Sequence, residues 1–386
     1  MEYRLATTSW GKEEIEAIHK VIESDMYSMG TQVESFEREF SKFFGSKYSV
    51  MCSSGSTANL LMIASLFFKK KNPLKRGDEV IVPAVSWSTT YFPLQQYGLH
   101  VKFVDIDSRT LNFDLNQLAE AVSEKTKIIL AVNLLGNPND FDTIRNIIKN
   151  RDIILLEDNC ESMGAKYKGK YTGTFGVMGT YSSFFSHHIS TMEGGMITTD
   201  NEELYHILLS IRAHGWTRNL PKINHVSNKS DNWFEESFRF VLPGYNVRPL
   251  EMSGAIGIEQ LKKLPGFIEN RRKNAQIFKE IFKSDERFVI QKEVEESSWF
   301  GFSFIIQDQN LKREEVIRLL SRNNIDSRPV VTGDFTKNSV LKYFDYSTHG
   351  NLSNAKNLDK KGFFVGNSHQ NLKKEIEHLK TILNEL

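Results

Sequence analysis

The chain has 386 residues, 40% of them hydrophobic and 25% charged, and a formal net charge of +1. That length suits two domains, or a large domain with a smaller appendage, and the balanced charge argues against nucleic acid or an anionic membrane as partner. The N-terminus lacks the apolar run of a signal peptide, the longest apolar stretch (Leu60 to Phe68) is too short to span a bilayer, and the only cysteines are Cys52 and Cys160, so a soluble cytoplasmic protein without a disulfide framework is expected.

In chain order, the first chemical signal is Ser53-Ser54-Gly55-Ser56-Thr57 running straight into ANLLMIASLFF. Small residues open a helix there and offer free N–H groups and hydroxyls to a phosphate, although such a segment alone is more often a simple helix cap. Four short apolar runs follow: EVIVPAVS after Gly77-Asp78, LHVKFVDID, KIILAVNLLG and DIILLEDN. With helical stretches between them, Leu115 to Val122 and Phe141 to Ile148 among them, they predict parallel strands buried on both faces. Ligands of such sheets sit beyond the strand C-terminal ends. Three segments fall there: Val85 to Trp87, Glu157 to Asn159 and Ser182 to His188. Trp87 offers a face for stacking or a core ring. Asp158 offers a carboxylate for a protonated ring nitrogen, or a turn cap.

Ser182 to Gly195 predicts a strand with hydroxyls, then the paired histidines His187 and His188, then an acidic diglycine turn. Adjacent strand residues face opposite ways, so joint metal chelation by the two is not expected. Thr217 to Ser237 is polar and irregular, a surface excursion, and Pro243 to Arg248 (PGYNVR) reads alone as a turn before a helix. A long helix is expected from about Glu251 to Ile281, then a strand over Trp299 to Ile306, a helix over Arg313 to Arg322 and a last helix from Leu372 to Leu386. The domain change is placed near residue 250, giving a large domain over 1–250 and a small one over 251–386.

Each element is ambiguous alone. Their order resembles that of the DegT/DnrJ/EryC1/StrS sugar aminotransferases, and the resemblance runs over nearly the whole chain. It implies an α/β protein of the pyridoxal-phosphate (PLP)-dependent transferase fold type I, like aspartate aminotransferase. A large domain with a mostly parallel sheet would carry a smaller C-terminal α+β domain. In that family the serine strand ends in a lysine that bonds the cofactor aldehyde. Here no lysine occurs between Lys170 and Lys222, and a histidine stands in its place. His187 is preferred to His188 because it puts Ser182 five residues earlier, where the family keeps a phosphate-binding serine.

By the same resemblance Gly55, Ser56 and Ser182 hold the cofactor phosphate, with Asn246 reaching it from a partner subunit. Asp158 takes the ring nitrogen, Trp87 the ring face, and Glu161, where the family more often has Gln or His, lies near the ring hydroxyl. Arg248 is a candidate clamp for an amino-acid carboxylate. His214 and Arg218 are candidates for sugar or carboxylate contacts, or else belong to a surface turn. Shared sites imply a homodimer.

The strings SSGSTANLLMIA, LEDNCESMGA, SHHISTMEGG and LPGYNVRPLEMSGAIGIEQLKKLP narrow the resemblance to dehydratases within that family. Imidazole exchanges protons but forms no stable bond to the aldehyde, so it serves as a base and not as a tether. The implied substrates are glutamate, which converts pyridoxal to pyridoxamine phosphate, and GDP-4-keto-6-deoxy-D-mannose, which loses its C3 hydroxyl. Alternatives are a nucleotide-sugar 4-aminotransferase and a non-catalytic PLP-binding homologue. An iron–sulfur electron relay, with a reductase partner, needs about four thiolates and is not expected from two cysteines.

Overall fold

The computed structural model describes residues 1–386. Its strands are β1 (Tyr48–Cys52), β2 (Glu79–Pro83), β3 (His100–Val104), β4 (Thr126–Val132), β5 (Ile154–Asp158), β6 (Lys166–Tyr167), β7 (Lys170–Tyr171), β8 (Met178–Ser182), β9 (Gly195–Thr199), β10 (Phe288–Ile290), β11 (Gly301–Ile306), β12 (Ser327–Arg328), β13 (Tyr346–Thr348) and β14 (Gly362–Gly366). Eight form the main sheet in the order β1-β9-β8-β5-β4-β2-β3-β13. Strand β9 is antiparallel to both neighbours and every other pair is parallel, so one reversed strand sits in an otherwise parallel sheet. The chain thus has the expected α/β architecture, with apolar strand runs such as EVIVP buried on both faces.

The helix Gly55–Leu66 is apolar nearly all round and lies between the sheet and the helices Ser88–Gln96 and Glu202–Ile211. Burial on every side, rather than one stripe, is what its composition demands. Because β1, β2, β4, β5 and β8 run the same way, their C-terminal ends share one edge. Cys52, Pro83, Val132, Asp158 and Ser182 end there, and the reversed β9 begins there with Gly195 opposite Ser182.

A four-stranded sheet, β10-β11-β14-β12, forms a second layer with its own core. Helix Glu251–Phe282 links the two. Its start packs on the helices Lys12–Glu23 and Thr31–Phe44. There the Glu251 carboxylate accepts the N–H groups of Gly30 and Gln32, both at 2.6 Å, at the start of helix Thr31–Phe44. Its far end buries Phe278 against Phe302, with ring centroids 4.3 Å apart and stacked. The chain crosses between the layers twice more. Tyr3 enters the second core and its hydroxyl donates to Gly366 O at 2.7 Å. Residues Val330 to Leu358 return to the main core, where β13 joins β3.

Two expected strands are shorter than the sequence suggests. The β8–β9 register ends at Ser182, opposite Gly195; Ser183 N–H makes one last bond to Gly194 O at 2.9 Å, and Phe184 to His188 then turn, with His187 N–H donating to Phe184 O at 2.9 Å. The histidines are therefore not on a strand, though their rings still diverge. Strand β11 starts at Gly301 and not Trp299, because Trp299 is left-handed (φ 47°).

Candidate active site

A cavity of about 610 Å³ opens along the shared edge of strand ends. Gly55, Ser56, Trp87, Asp158, Glu161, Ser182 and His187 all line it. At its helical end Ser54 caps helix Gly55–Leu66, its hydroxyl accepting Thr57 N–H at 3.1 Å while Thr57 Oγ1 accepts Ser54 N–H at 3.0 Å. That reciprocal cap leaves the N–H groups of Gly55 and Ser56 without an acceptor in the chain. A Cβ on Gly55 would lie 2.7 Å from Ser182 Cβ, so only glycine lets the helix start approach the serine at the end of β8. Gly195, in the acidic diglycine turn, is equally constrained: a Cβ there would meet Ser54 O at 2.1 Å. Two free N–H groups at a helix's positive end, with the Ser182 hydroxyl beside them, suit a phosphate.

Asp158 is fixed at the end of β5. Its Oδ2 accepts Asn59 Nδ2 at 2.9 Å and Thr90 Oγ1 at 2.7 Å, and its Oδ1 accepts Cys160 N–H at 3.1 Å. A carboxylate held by three donors stays oriented for a ring nitrogen. Asn59 and Thr90 were not anticipated; the i, i+3 spacing of Ser56 and Asn59 on one helix is the signal for the first. The neighbouring Glu157 is structural, its carboxylate accepting the N–H groups of Gly173, Phe175 and Gly176. Trp87, 57% exposed at the start of the next helix, presents a ring to the cavity and is not core. Glu161 accepts Leu135 N–H at 3.0 Å, and burial, aided by the Asp158 charge, pushes its carboxyl up to about 7.

The histidines separate. His187 lines the cavity, its ring edge-on to Phe300 at 5.1 Å between centroids. Its Nδ1 is buried without a partner, which leaves Nε2 as the nitrogen turned to the cavity. Burial, reinforced by the buried Arg271 cation, pushes it down to about 4, so it is neutral near pH 7 and able to accept a proton. His188 is not among the lining residues. It is buried, its Nε2 lies 3.2 Å from Ser298 O, and burial holds it well below the usual imidazole range. The turn after Ser182 thus brings only the first of the two rings to the cavity wall.

Four other expected residues also lie outside this chain's cavity. Asn246 Oδ1 accepts Arg248 Nε–H at 3.1 Å, and Arg248 lies over the Trp216 ring at 5.5 Å. Arg218 stacks on Trp216 at 4.3 Å, and His214 packs edge-on to the same ring. Arg218, Arg248 and His214 gather round this one buried indole, with Asn246 beside Arg248, because residues 243–248 run alongside 211–216, with Val247 N–H donating to Arg212 O. Conversely, Phe300, Arg328, Pro329, Val331 and Phe364 close the cavity from the C-terminal third and had no local signal. No lysine lines it. Lys166, Lys168 and Lys170 belong to the β6–β7 hairpin, where Lys168 pairs with Asp142.

The fit to a phosphorylated pyridine is therefore specific: unsatisfied N–H groups, a glycine cradle that a Cβ would fill, an oriented carboxylate and an exposed indole. Comparison with known proteins agrees. Residues 8–384 match the DegT/DnrJ/EryC1/StrS aminotransferase family. The chain is 63% identical to GDP-4-keto-6-deoxy-D-mannose 3-dehydratase of Yersinia pseudotuberculosis over 386 residues, 99% of this chain and 98% of that one. A crystal structure of GDP-4-keto-6-deoxymannose-3-dehydratase with a trapped PLP-glutamate geminal diamine superposes with a TM-score of 0.98 at 64% identity, covering 99% of this chain and 100% of that one. Another, with a TM-score of 0.97 at 64% identity over 98% of this chain and 100% of that one, is a double variant. In it a serine and the histidine directly after it are exchanged for asparagine and lysine.

Proposed function

The chain belongs to the DegT/DnrJ/EryC1/StrS aminotransferase family, and from that membership we propose that it is a PLP-dependent GDP-4-keto-6-deoxy-D-mannose 3-dehydratase of deoxysugar biosynthesis. The observation that carries this reading is a neutral histidine, with no lysine, on the wall of a cavity built for PLP. Gly55, Ser56 and Ser182 hold the phosphate, Asp158 the ring nitrogen and Trp87 the ring face, while Glu161 stands at the hydroxyl edge. When bound, the cofactor supplies an amine taken from glutamate and an electron sink that allows the C3–O bond of the sugar to break.

The chain's own groups do the rest. His187 Nε2 accepts a proton and returns it to the departing C3 oxygen, so that water leaves and not hydroxide. The choice of His187 is supported by the serine–histidine pair exchanged in the solved double variant, since Ser186-His187 is the one serine–histidine pair in this segment. Phe300 and Phe184 flank the imidazole edge-on and fix its orientation in the cavity wall. With no lysine to capture the nitrogen, glutamate and the keto sugar yield 2-oxoglutarate, ammonia and the 3,6-dideoxy-4-keto sugar nucleotide.

The enzyme acts as a homodimer in the cytoplasm. Asn246, Arg248, His214 and Arg218 sit beside an excursion that exposes Trp233, Phe234, Phe238 and Phe240, an apolar surface of the kind that a second subunit covers. Residues placed there reach a partner's cavity more readily than their own. No helix is long and apolar enough to cross a membrane, and both cysteines are free.

Incubating the protein with PLP, glutamate and GDP-4-keto-6-deoxymannose tests the assignment. One ammonia and one 2-oxoglutarate per 3-deoxy sugar are expected. A 4-amino sugar without ammonia would identify an aminotransferase, and no turnover of either substrate would sink the enzymatic reading.

A further inference from the structure

Arg328 is the single lysine or arginine among the residues that line the cavity, and no carboxylate lies within ion-pairing distance of it. It stands on β12, paired with Phe364 of β14, which lines the same wall. Pro329 follows it and restricts its backbone to the extended region, so the side chain is launched from a fixed point. Its guanidinium makes one hydrogen bond, from Nη1 to the adjacent Ser327 O at 2.9 Å. The residue is exposed, whereas Asp158 and the His187 Nδ1 are buried. Arg328 therefore marks the mouth of the cavity, and the reacting groups mark its floor. Nothing in folding requires a cation here: it holds no distant carbonyl, caps no helix and neutralises no acid.

Both substrates of the proposed reaction carry an anion at the end far from the reacting carbon. In the nucleotide sugar the diphosphate lies across the pyranose ring from C4. In glutamate the γ-carboxylate lies at the end of the side chain. With its reacting atom on the floor, each substrate directs that anion outward. We propose that Arg328 is the receptor for this distal anion, a substrate-specificity residue at the cavity mouth; the proposal rests on the dehydratase reading above. A guanidinium presents paired N–H donors to phosphate or carboxylate, and an unpaired one has no competing partner to release first.

Two variants, Arg328→Met and Arg328→Lys, test this in the holoenzyme. GDP affinity is read by calorimetry, and KM is measured separately for the nucleotide sugar and for glutamate. The half-reaction with glutamate is compared with that of alanine, which has no γ-carboxylate. For Arg328→Met a rise of about 10- to 100-fold in KM or Kd is expected, with kcat within about 3-fold, on loss of a charge-assisted pair. Arg328→Lys should recover part of it. Weakening confined to GDP and the sugar assigns the residue to the diphosphate; weakening of glutamate but not alanine assigns it to the carboxylate. Either outcome sustains a distal-anion receptor. Unchanged affinity on both arms, or equal loss with alanine and glutamate while GDP binds normally, overturns it. If the unaltered holoenzyme fails to bind GDP, the nucleotide-sugar reading falls, and the glutamate–alanine comparison still decides Arg328.

Discussion

Two adjacent imidazoles of identical chemistry are separated by a single turn. His187 faces the cavity with Nε2 open, while His188 lies against Ser298 O with no route to a ligand. Exchange of the first should therefore remove the chemistry, and exchange of the second should loosen only the wall that carries Phe300. His187→Asn is expected to lower dehydration by about 10²- to 10⁴-fold, the usual weight of a general base, while PLP absorbance shows the cofactor still bound. His188→Asn is expected to stay within about 10-fold. The opposite ranking would transfer the base to His188. The pH dependence follows in sign: the working form is neutral, so activity is lost as pH falls through about 4, and this group sets no acid limb on kcat/KM above about pH 5. Stability moves in the same direction. An unfolded imidazole protonates at its ordinary pKa near 6.5 while the folded one resists, so the fold weakens as pH drops below that value.

At the scale of elements, the site is a meeting of strand ends and one helix start, and close approach is its main requirement. Gly55 abuts Ser182 and Gly195 abuts Ser54 O, so the phosphate cradle exists only while both positions lack a Cβ. Gly55→Ala is expected to keep the secondary structure, since alanine favours the helix it opens, yet to raise the dissociation constant for PLP by at least about 10-fold as the cradle closes. Equilibrium dialysis, with circular dichroism as the control for folding, measures it. Unaltered PLP affinity would remove the helix start from the phosphate site. The wall opposite is held by Arg271, which donates to Asn367 O at 2.7 Å and to the Trp299 and Phe300 carbonyls, with burial pushing it down to about 10. That cation both positions Phe300 and discourages a charge on His187.

For the whole molecule, the decisive matter is whether a second subunit completes the site. Asn246, Arg248, His214 and Arg218 collect round Trp216 at a surface bordered by exposed aromatics, outside their own chain's cavity. If they serve a partner, two inactive variants should rescue one another. Mixed and reassembled dimers of His187→Asn with Asn246→Ala would hold one intact composite site. Dehydration is expected to return to a substantial fraction of wild type in the mixture, with light scattering confirming a dimer. No recovery in confirmed mixed dimers would place Asn246 in its own subunit's site.

The residue types, their order along the chain and the strand-and-helix alternation were legible without coordinates, because each depends on local chemistry. A run such as EVIVP has to be buried, Ser54 has to cap the helix it precedes, and the absence of lysine from Lys170 to Lys222 excludes the usual tether. The facing of His187 against His188 was legible only as a choice between two registers, since the ladder that would orient them stops at Ser182. Asn59, Thr90, Phe300 and Arg328 could not be gathered from the sequence, because they come from four separate elements brought together by long-range packing. Local pattern determines what each segment becomes. Only tertiary contact, which buries Arg271 and the imidazoles and leaves Arg328 at the rim, decides which groups are neutral, which are free and which face the same cavity.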